Sequence, residues 1–356
     1  LAVDNVGNTE AMKDQAEATT TLHETPLSFW MLSGDITYQN SALTRMSGVT
    51  TSLIDTGSMV VETAVSNASG HYLYREVLQG EYSMQVDYTA PWGGGNAVDA
   101  LLVARHFAAL EDLAPVPLGA ADVNASGFVN AMDAQVIATR FVAMIDSFPS
   151  GDWYFHRDRH IMLVSDSIVD LPTLCYGDVN GSFIPGTKGQ AASVFLQTGA
   201  TSEVFEGLEL DIPVMLTRNL ELGSVSLSLN YPSELQIIGV RMQGVNEHNL
   251  FWRHGNGMLR LAWFDPSGRM FKSGEALITL RVKVADLSSS RELKFSIDDE
   301  SQLSDTRGKV YDHEILELPK LEVNNLAATT ILGNYPNPFS DRTEIRFSLP
   351  EKALVN

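Results

Sequence analysis

The 356-residue sequence predicts a mainly β, multidomain protein in which two β-sandwiches flank a small α-helical module. Three observations carry this reading. Short segments with alternating apolar residues fill residues 29–88 and again 191–323. Between them, over 96–144, the apolar spacing changes to three and four: Leu102, Val103, His106, Phe107 and Leu110, then Val136, Ile137, Arg140, Phe141 and Met144. That middle stretch also repeats with a period of 34, Asn96-Ala97-Val98-Asp99-Ala100 returning as Asn130-Ala131-Met132-Asp133-Ala134.

Composition narrows the function. A balance of 24 basic against 44 acidic residues gives a formal charge of −20, which repels phosphate backbones and anionic lipid and argues against nucleic acid as a partner. At about 150 residues per domain the length allows two or three cores. The single cysteine, Cys175, forms no internal disulfide, so packing, hydrogen bonds or metal must hold an extracellular chain together. Apolar runs such as Ala100-Leu101-Leu102-Val103-Ala104 fall far short of the roughly 20 residues of a membrane-spanning helix. Leu1 opens a polar stretch without the basic start and apolar centre of a signal peptide, and the expectation is a mature or excised part of a larger product.

Taken in order, residues 1–28 comprise Ala2-Val3-Asp4-Asn5-Val6-Gly7-Asn8-Thr9, similar to the last strand of a bacterial immunoglobulin-like domain, and a linker. Residues 29–88 hold alternating strands at Asp35–Tyr38, Gly48–Ile54, Met59–Val65, His71–Tyr74 and Gly80–Val86, with a turn at Ser66–Gly70. Their order resembles the Cna-B or carboxypeptidase-regulatory family, which implies a spacer sandwich. Residues 89–150 are the helical module and 151–190 a β-rich connector. Residues 191–323 alternate through Leu208–Ile212, Ser224–Leu229, Leu259–Phe264 and Leu277–Val284, and their strand order resembles cohesin-like domains. A generic immunoglobulin-like sandwich fits the same pattern. After a linker at 324–334, Asn334-Tyr335-Pro336-Asn337-Pro338-Phe339-Ser340 and Thr343–Pro350 resemble the start of a type IX secretion sorting domain, spanning 335–356.

The strongest chemical signal is Asp122-Val123-Asn124-Ala125-Ser126-Gly127-Phe128-Val129-Asn130-Ala131-Met132-Asp133. Calcium takes six to eight oxygens, which a twelve-residue loop supplies from positions 1, 3, 5, 7 (a carbonyl), 9 and 12, with glycine at 6 for the turn. Here those positions are Asp122, Asn124, Ser126, Phe128, Asn130 and Asp133, around Gly127. The acid at 12 is aspartate, and a helix follows at once, which resembles the dockerin family. The simpler reading is an Asx-rich turn capping a helix. In the first repeat Tyr88, Ala90 and Trp92 stand at positions 1, 3 and 5 and only Asn96 and Asp99 remain, so no local loop forms. Gly177-Asp178-Val179-Asn180-Gly181-Ser182 holds a front half with no acid to close it. Either it is an ordinary turn, or Asn96, Asp99, Asp178, Asn180 and Ser182 meet in space as a second, divided calcium site. The resemblance to dockerins implies a contact face at Met132, Thr139 and Arg140, with Val98 and Arg105 as repeat-related counterparts.

No G-x-S-x-G elbow, H-E-x-x-H helix or dinucleotide fingerprint is present. His156 and His160 share a face but sit among charged residues, a solvated edge rather than a metal pair. The expectation is a secreted or cell-surface, non-catalytic, calcium-binding adhesion and assembly protein. Its partners would be a protein bound through the dockerin-like or cohesin-like module, another copy joined head to tail into fibres included, and the type IX secretion machinery. The alternative is an accessory region of an extracellular polysaccharide-degrading enzyme, with polysaccharide as ligand.

Overall fold

A computed structural model describes residues 27–156, 160–186, 193–285, 287, 292–323, 330–335 and 341–348. The strand expected at Ala2–Thr9 lies outside them.

Strands β1 (Phe29–Tyr38), β2 (Thr50–Asp55), β3 (Val60–Val65), β4 (His71–Leu78) and β5 (Gly80–Asp87) follow the alternation in the sequence. Helices α1 (Ala97–Phe107), α2 (Pro115–Ala121) and α3 (Ala131–Phe141) come next. The chain then returns through β6 (Trp153–Phe155), β7 (Ile161–Leu163), β8 (Ser167–Ile168) and β9 (Leu171–Cys175). These four are not a separate connector, which corrects the expected division at 151–190. In one sheet, ordered β4-β1-β9-β6 with β8 also on β1, Ile36, Thr37 and Tyr38 run parallel to Leu171, Pro172 and Thr173. In the other, ordered β3-β2-β5-β7, Gly80–Tyr82 pair with Ile161–Leu163. The physical reason is core size: five strands in about 60 residues make only a marginal core, which further strands enlarge. Ile161, Leu163, Leu171, Leu174 and Cys175 complete one cluster with Leu32, Ile36, Tyr38, Leu53 and Tyr74. The helical module is therefore an insertion between two parts of the first sandwich.

The second sandwich comprises β10 (Val194–Val204), β11 (Glu209–Leu216), β12 (Leu220–Asn230), β13 (Leu235–Met242), β14 (Phe251–Gly255), β15 (Met258–Phe271), β16 (Ala276–Val284), β17 (Glu292–Leu293), β18 (Ser296–Ile297), β19 (Gln302–Ser304) and β20 (Glu314–Val323). One sheet runs β10-β20-β11-β16-β13 with β17 on β20, and the other β14-β15-β12-β18 with β19 on β12. Val225, Leu227 and Leu229 of β12 face the core between the sheets. The alternate residues Ser224, Ser226 and Ser228 would ordinarily meet water, yet all three are fully buried. What covers them is the helical module: α1 lies against β12, β15 and β19, and α3 against β15.

A hairpin of β21 (Thr330–Tyr335) and β22 (Glu344–Ser348) pairs the end of the expected linker at 324–334 antiparallel with a strand of the expected sorting segment at 335–356. Residues 336–340 and 349–356 of that segment lie outside the described part. Among the described residues no helix is long and apolar enough to cross a membrane.

Candidate metal centre

Both long helices start the same way because the repeat gives them the same cap. The Asn96 side chain accepts from Val98 N–H at 2.7 Å while Asp99 accepts from Asn96 N–H at 3.0 Å. In the second copy Asn130 accepts from Met132 N–H at 2.8 Å and Asp133 from Asn130 N–H at 2.9 Å. These reciprocal boxes satisfy first-turn amides that have no partner within a helix. The ends match as well, Ala109 and Ala143 taking φ of 54° and 58°.

In front of α3 the loop closes on its own acids. Ser126 N–H donates to Asp122 Oδ1 at 3.0 Å and Asn124 Oδ1 at 2.9 Å, Gly127 N–H to Asp122 Oδ2 at 2.8 Å, and Asn124 N–H to Asp133 Oδ1 at 3.3 Å. The Phe128 carbonyl accepts from the Ser126 hydroxyl at 3.0 Å. All six expected residues thus gather in one loop. Asp133 is buried at its base, and Ala125 to Phe128 are exposed at its rim.

In front of α1 the same arrangement is built from two distant pieces. Ser182 N–H donates to Asp178 Oδ1 at 3.0 Å and Asn180 Oδ1 at 2.8 Å, Phe183 N–H to Asp178 Oδ2 at 3.1 Å, and Asn180 N–H to Asp99 Oδ1 at 3.1 Å. Each bond has its counterpart in the continuous loop. The fourth positions also agree, Ala125 at φ 57° and Gly181 at φ 64°. Asn96, Asp99, Asp178, Asn180 and Ser182, expected as two half-sites, are therefore brought together. Room for this comes from Gly94: at φ +91°, a Cβ there would meet the Asp178 carboxylate carbon at 2.4 Å.

Sequence reasoning did not find Tyr38. From the end of β1 its hydroxyl donates to Asp178 Oδ2 at 2.5 Å and accepts from Cys175 N–H at 3.1 Å. Its aromatic neighbours hold it there, Trp153 and Phe183 packing edge-on at 6.0 and 5.9 Å. An isolated Tyr at a strand end carries no signal for this role.

The electrostatics of the divided loop differ from those of an ordinary turn. Asp99 and Asp178 are both fully buried. Burial raises the pKa of each, and the Asp178 charge raises Asp99 further, well above the carboxylate range. Among the described residues no ion pair reaches either acid, and the contacts that lower them are hydrogen bonds from backbone amides and from the Tyr38 and Ser182 hydroxyls. Burial raises Asp133 as well, opposed by the Asn130 and Asn124 amides. Among the described residues no three acidic, imidazole or thiol side chains converge on one point. Each cage instead has two carboxylates and takes its other oxygens from amides, hydroxyls and carbonyls. Such an all-oxygen set fits a hard cation of calcium's kind and offers nothing to metals that favour sulfur or imidazole.

The expected contact residues fall in different places. Met132 is exposed, and Thr139 donates its hydroxyl to the Val136 carbonyl at 2.8 Å. Arg140 is buried, stacked 3.8 Å over Trp92 and 4.4 Å over Phe148, and paired with Asp152 at 2.5 Å. It is a wedge inside the module rather than part of a surface. Val98 is fully buried, and Arg105 donates to the Thr306 carbonyl of the second sandwich at 2.7 Å.

Two helices one period apart carry the same caps, and an acid-lined loop lies against the start of each. Residues 96–141 match the dockerin type I domain. The dockerin match covers α1 through α3 and leaves the two sandwiches outside it. Solved structures similar to the chain include a non-cellulosomal cohesin from the archaeon Archaeoglobus fulgidus, at 20% identity over 38% of this chain and 93% of that one, TM-score 0.29. A second is CaCohA2 from Clostridium acetobutylicum, at 12% identity over 38% and 94%, TM-score 0.32. A third is the Coh-OlpC–Doc435 type I cohesin–dockerin complex from Clostridium thermocellum, at 15% identity over 39% and 99%, TM-score 0.29. No curated protein matches in sequence. The chain thus holds, at residues 96–141, a segment that matches the dockerin type I domain.

Proposed function

We propose that the protein is a secreted or cell-surface, non-catalytic interaction and assembly protein whose dockerin domain is braced by calcium at two places. The observation that carries the reading is the bond-for-bond agreement between the loop Asp122–Asp133 and the divided loop of Asp178–Phe183 with Asn96–Asp99. In the continuous loop Asp122, Asn124, Ser126, the Phe128 carbonyl and Asp133 would hold the ion. In the divided loop Asp99, Asp178, Asn180 and Ser182 would. Asn130 and Asn96 already use their side-chain oxygens as helix caps and would contribute through water, as position 9 of such loops often does.

A bound divalent cation supplies the positive charge that two buried carboxylates lack. The chain's own residues do the rest: the caps fix the helix starts, Tyr38 orients Asp178, and Gly94 lets the backbone approach it. Binding energy then becomes folding energy for a small helical module. Support for export comes from the Asn334–Ser340 motif and the strand after it, whose resemblance to a sorting domain suggests recognition by type IX secretion machinery.

Calorimetric titration of the full chain with calcium tests the reading. Two binding events are expected, with Asp122→Ala removing one and Asp178→Ala the other. A single event indifferent to Asp178→Ala eliminates the divided site, and no heat at all eliminates both.

A further inference from the structure

The dockerin domain sits on the second sandwich through a contact that is polar at its ends and apolar between them. At the start of α1, Ala97 N–H donates to the Ser226 hydroxyl at 3.0 Å and Asn96 Nδ2 to Gln302 Oε1 at 3.1 Å, all four residues being buried. At the end of α3, Arg260 donates to the Phe141 carbonyl at 3.4 Å and Arg253 donates to the Ala143 carbonyl. The sheet thus offers an acceptor where the helix dipole is positive and cations where it is negative. Between these ends Ala97, Ala100, Val103, Ile137, Ala138 and Phe141 share one cluster with Ala262 of β15, while Phe251 and Phe264 pack at its edge.

We infer that the chain closes its own docking pair: the occupant of the β14-β15-β12-β19 face is the dockerin domain of the same molecule, leaving neither surface free for an outside partner of that kind. The inference rests on the reading of residues 96–141 as a docking module and not on the metal. Its basis is connectivity. Because β6, β7 and β9 are sewn into the first sandwich, the dockerin domain is anchored to that body on both sides. One covalent passage, between Gly186 and Ser193, leads on to the second sandwich. A contact across one short tether has an effective concentration on the order of millimolar. A second copy at micromolar concentration meets a disadvantage of roughly a thousandfold. The formal charge of −20 on every copy adds repulsion to any trans contact. Head-to-tail fibres would require the intramolecular contact to open first.

A cross-link distinguishes the two. A Cβ at Gly308 would lie 3.1 Å from Leu102 Cγ, the place a cysteine sulfur would take, and across a disulfide one Cβ stands about 3 Å from the other sulfur. The full chain carrying Leu102→Cys and Gly308→Cys is oxidised at about 1 µM and run on a non-reducing gel. The single Gly308→Cys variant serves as control for the strained backbone at φ +78°. A fast-migrating monomer, converted by reductant to normal mobility, is expected in the double variant alone. Disulfide-linked dimers or ladders overturn the inference, and so does a folded chain that forms no link. Independently, Ser226→Arg places a long cation under α1 while leaving core-facing Val225 and Leu227 in place. It should enlarge the radius of gyration by small-angle scattering. An unchanged scattering profile also overturns the inference. Calcium titration of the same variant separates this outcome from a failure of the metal reading, because the hydrogen bonds that close the continuous loop on its own acids run within residues 122–133 and it should keep its binding event.

Discussion

The continuous loop ahead of α3 and the divided loop ahead of α1 make the same hydrogen bonds under different topological conditions. In the first, Asn124 reaches Asp133 across 9 residues; in the second, Asn180 reaches Asp99 across 81. Loop-closure entropy grows as the logarithm of length, so the longer closure costs about 2 kcal/mol more. That cost is met by the first sandwich, which holds Asp178 through Tyr38 and the backbone of Cys175. The continuous loop is a local device with an exposed rim. The divided one is a tertiary device, buried at the point where both sandwiches meet α1. An acid-lined loop can therefore be cut in two when a folded scaffold re-creates its ends.

Four substitutions would break or sharpen this comparison. The largest effect is expected for Asp178→Ala, which leaves the Phe183 amide and the Tyr38 hydroxyl without their acceptor and the Ser182 amide with Asn180 alone. At 1–3 kcal/mol per orphaned group the loss should reach about 3 kcal/mol, read by chemical denaturation. A loss no greater than that of Asp122→Ala would reduce residues 178–183 to an ordinary turn. Next is Tyr38→Phe, expected to cost about 1–2 kcal/mol by removing one buried hydroxyl and stranding the Cys175 amide. Its second readout is alkylation at pH 8. Burial pushes the Cys175 thiol up to about 12, so the parent should react only when this region opens. Faster labelling in Tyr38→Phe is expected, and an unchanged rate would detach Tyr38 from the divided loop.

Asp122→Ala should cost about 1 kcal/mol, as the loss of a cap-like acceptor at a half-exposed site does. Amide exchange should quicken within residues 123–133 and nowhere else; spread of the effect to 178–183 would contradict the independence of the loops. The smallest change runs the other way. Ala125 occupies the left-handed position that Gly181 occupies in the divided loop. Ala125→Gly should gain roughly 0.5 kcal/mol in thermal denaturation, and a loss there would mean that the two loops are not equivalent at their fourth position.

Much of this architecture was legible in the residues. The alternation of β1 to β5, the change to helical spacing after Asn96 and the 34-residue repeat were all local patterns, and local patterns survive in sequence. The oxygen register of Asp122–Asp133 was legible for the same reason. What escaped was non-local. Strands β6 to β9 have two to five residues each and too little length to show a period, and β9 joins β1 in parallel across the whole helical insertion. The burial of Ser224, Ser226 and Ser228 was not legible because nothing in β12 announces the helices above it. Arg140 read as a surface cation because its two aromatic neighbours, Trp92 and Phe148, come from separate loops. The contact between helical module and second sandwich is invisible for a similar reason: its partners, Ala97 and Ser226, are small residues of types that occur in any protein.

The insertion of three helices between β5 and β6 imposes an order of assembly on a chain that emerges from its N-terminus. β1 and β5 present open edges until β9 and β7 arrive to pair with them. During that interval the nascent product carries unpaired strand backbone, the feature most prone to promiscuous association. The continuous loop and α3 can already be complete by then, whereas Asp99 must wait for Asp178. Synthesis thus proceeds from a half-finished sheet to a finished helical insert before the first core can seal, and a pause before residue 175 would hold the molecule at its most adhesive stage.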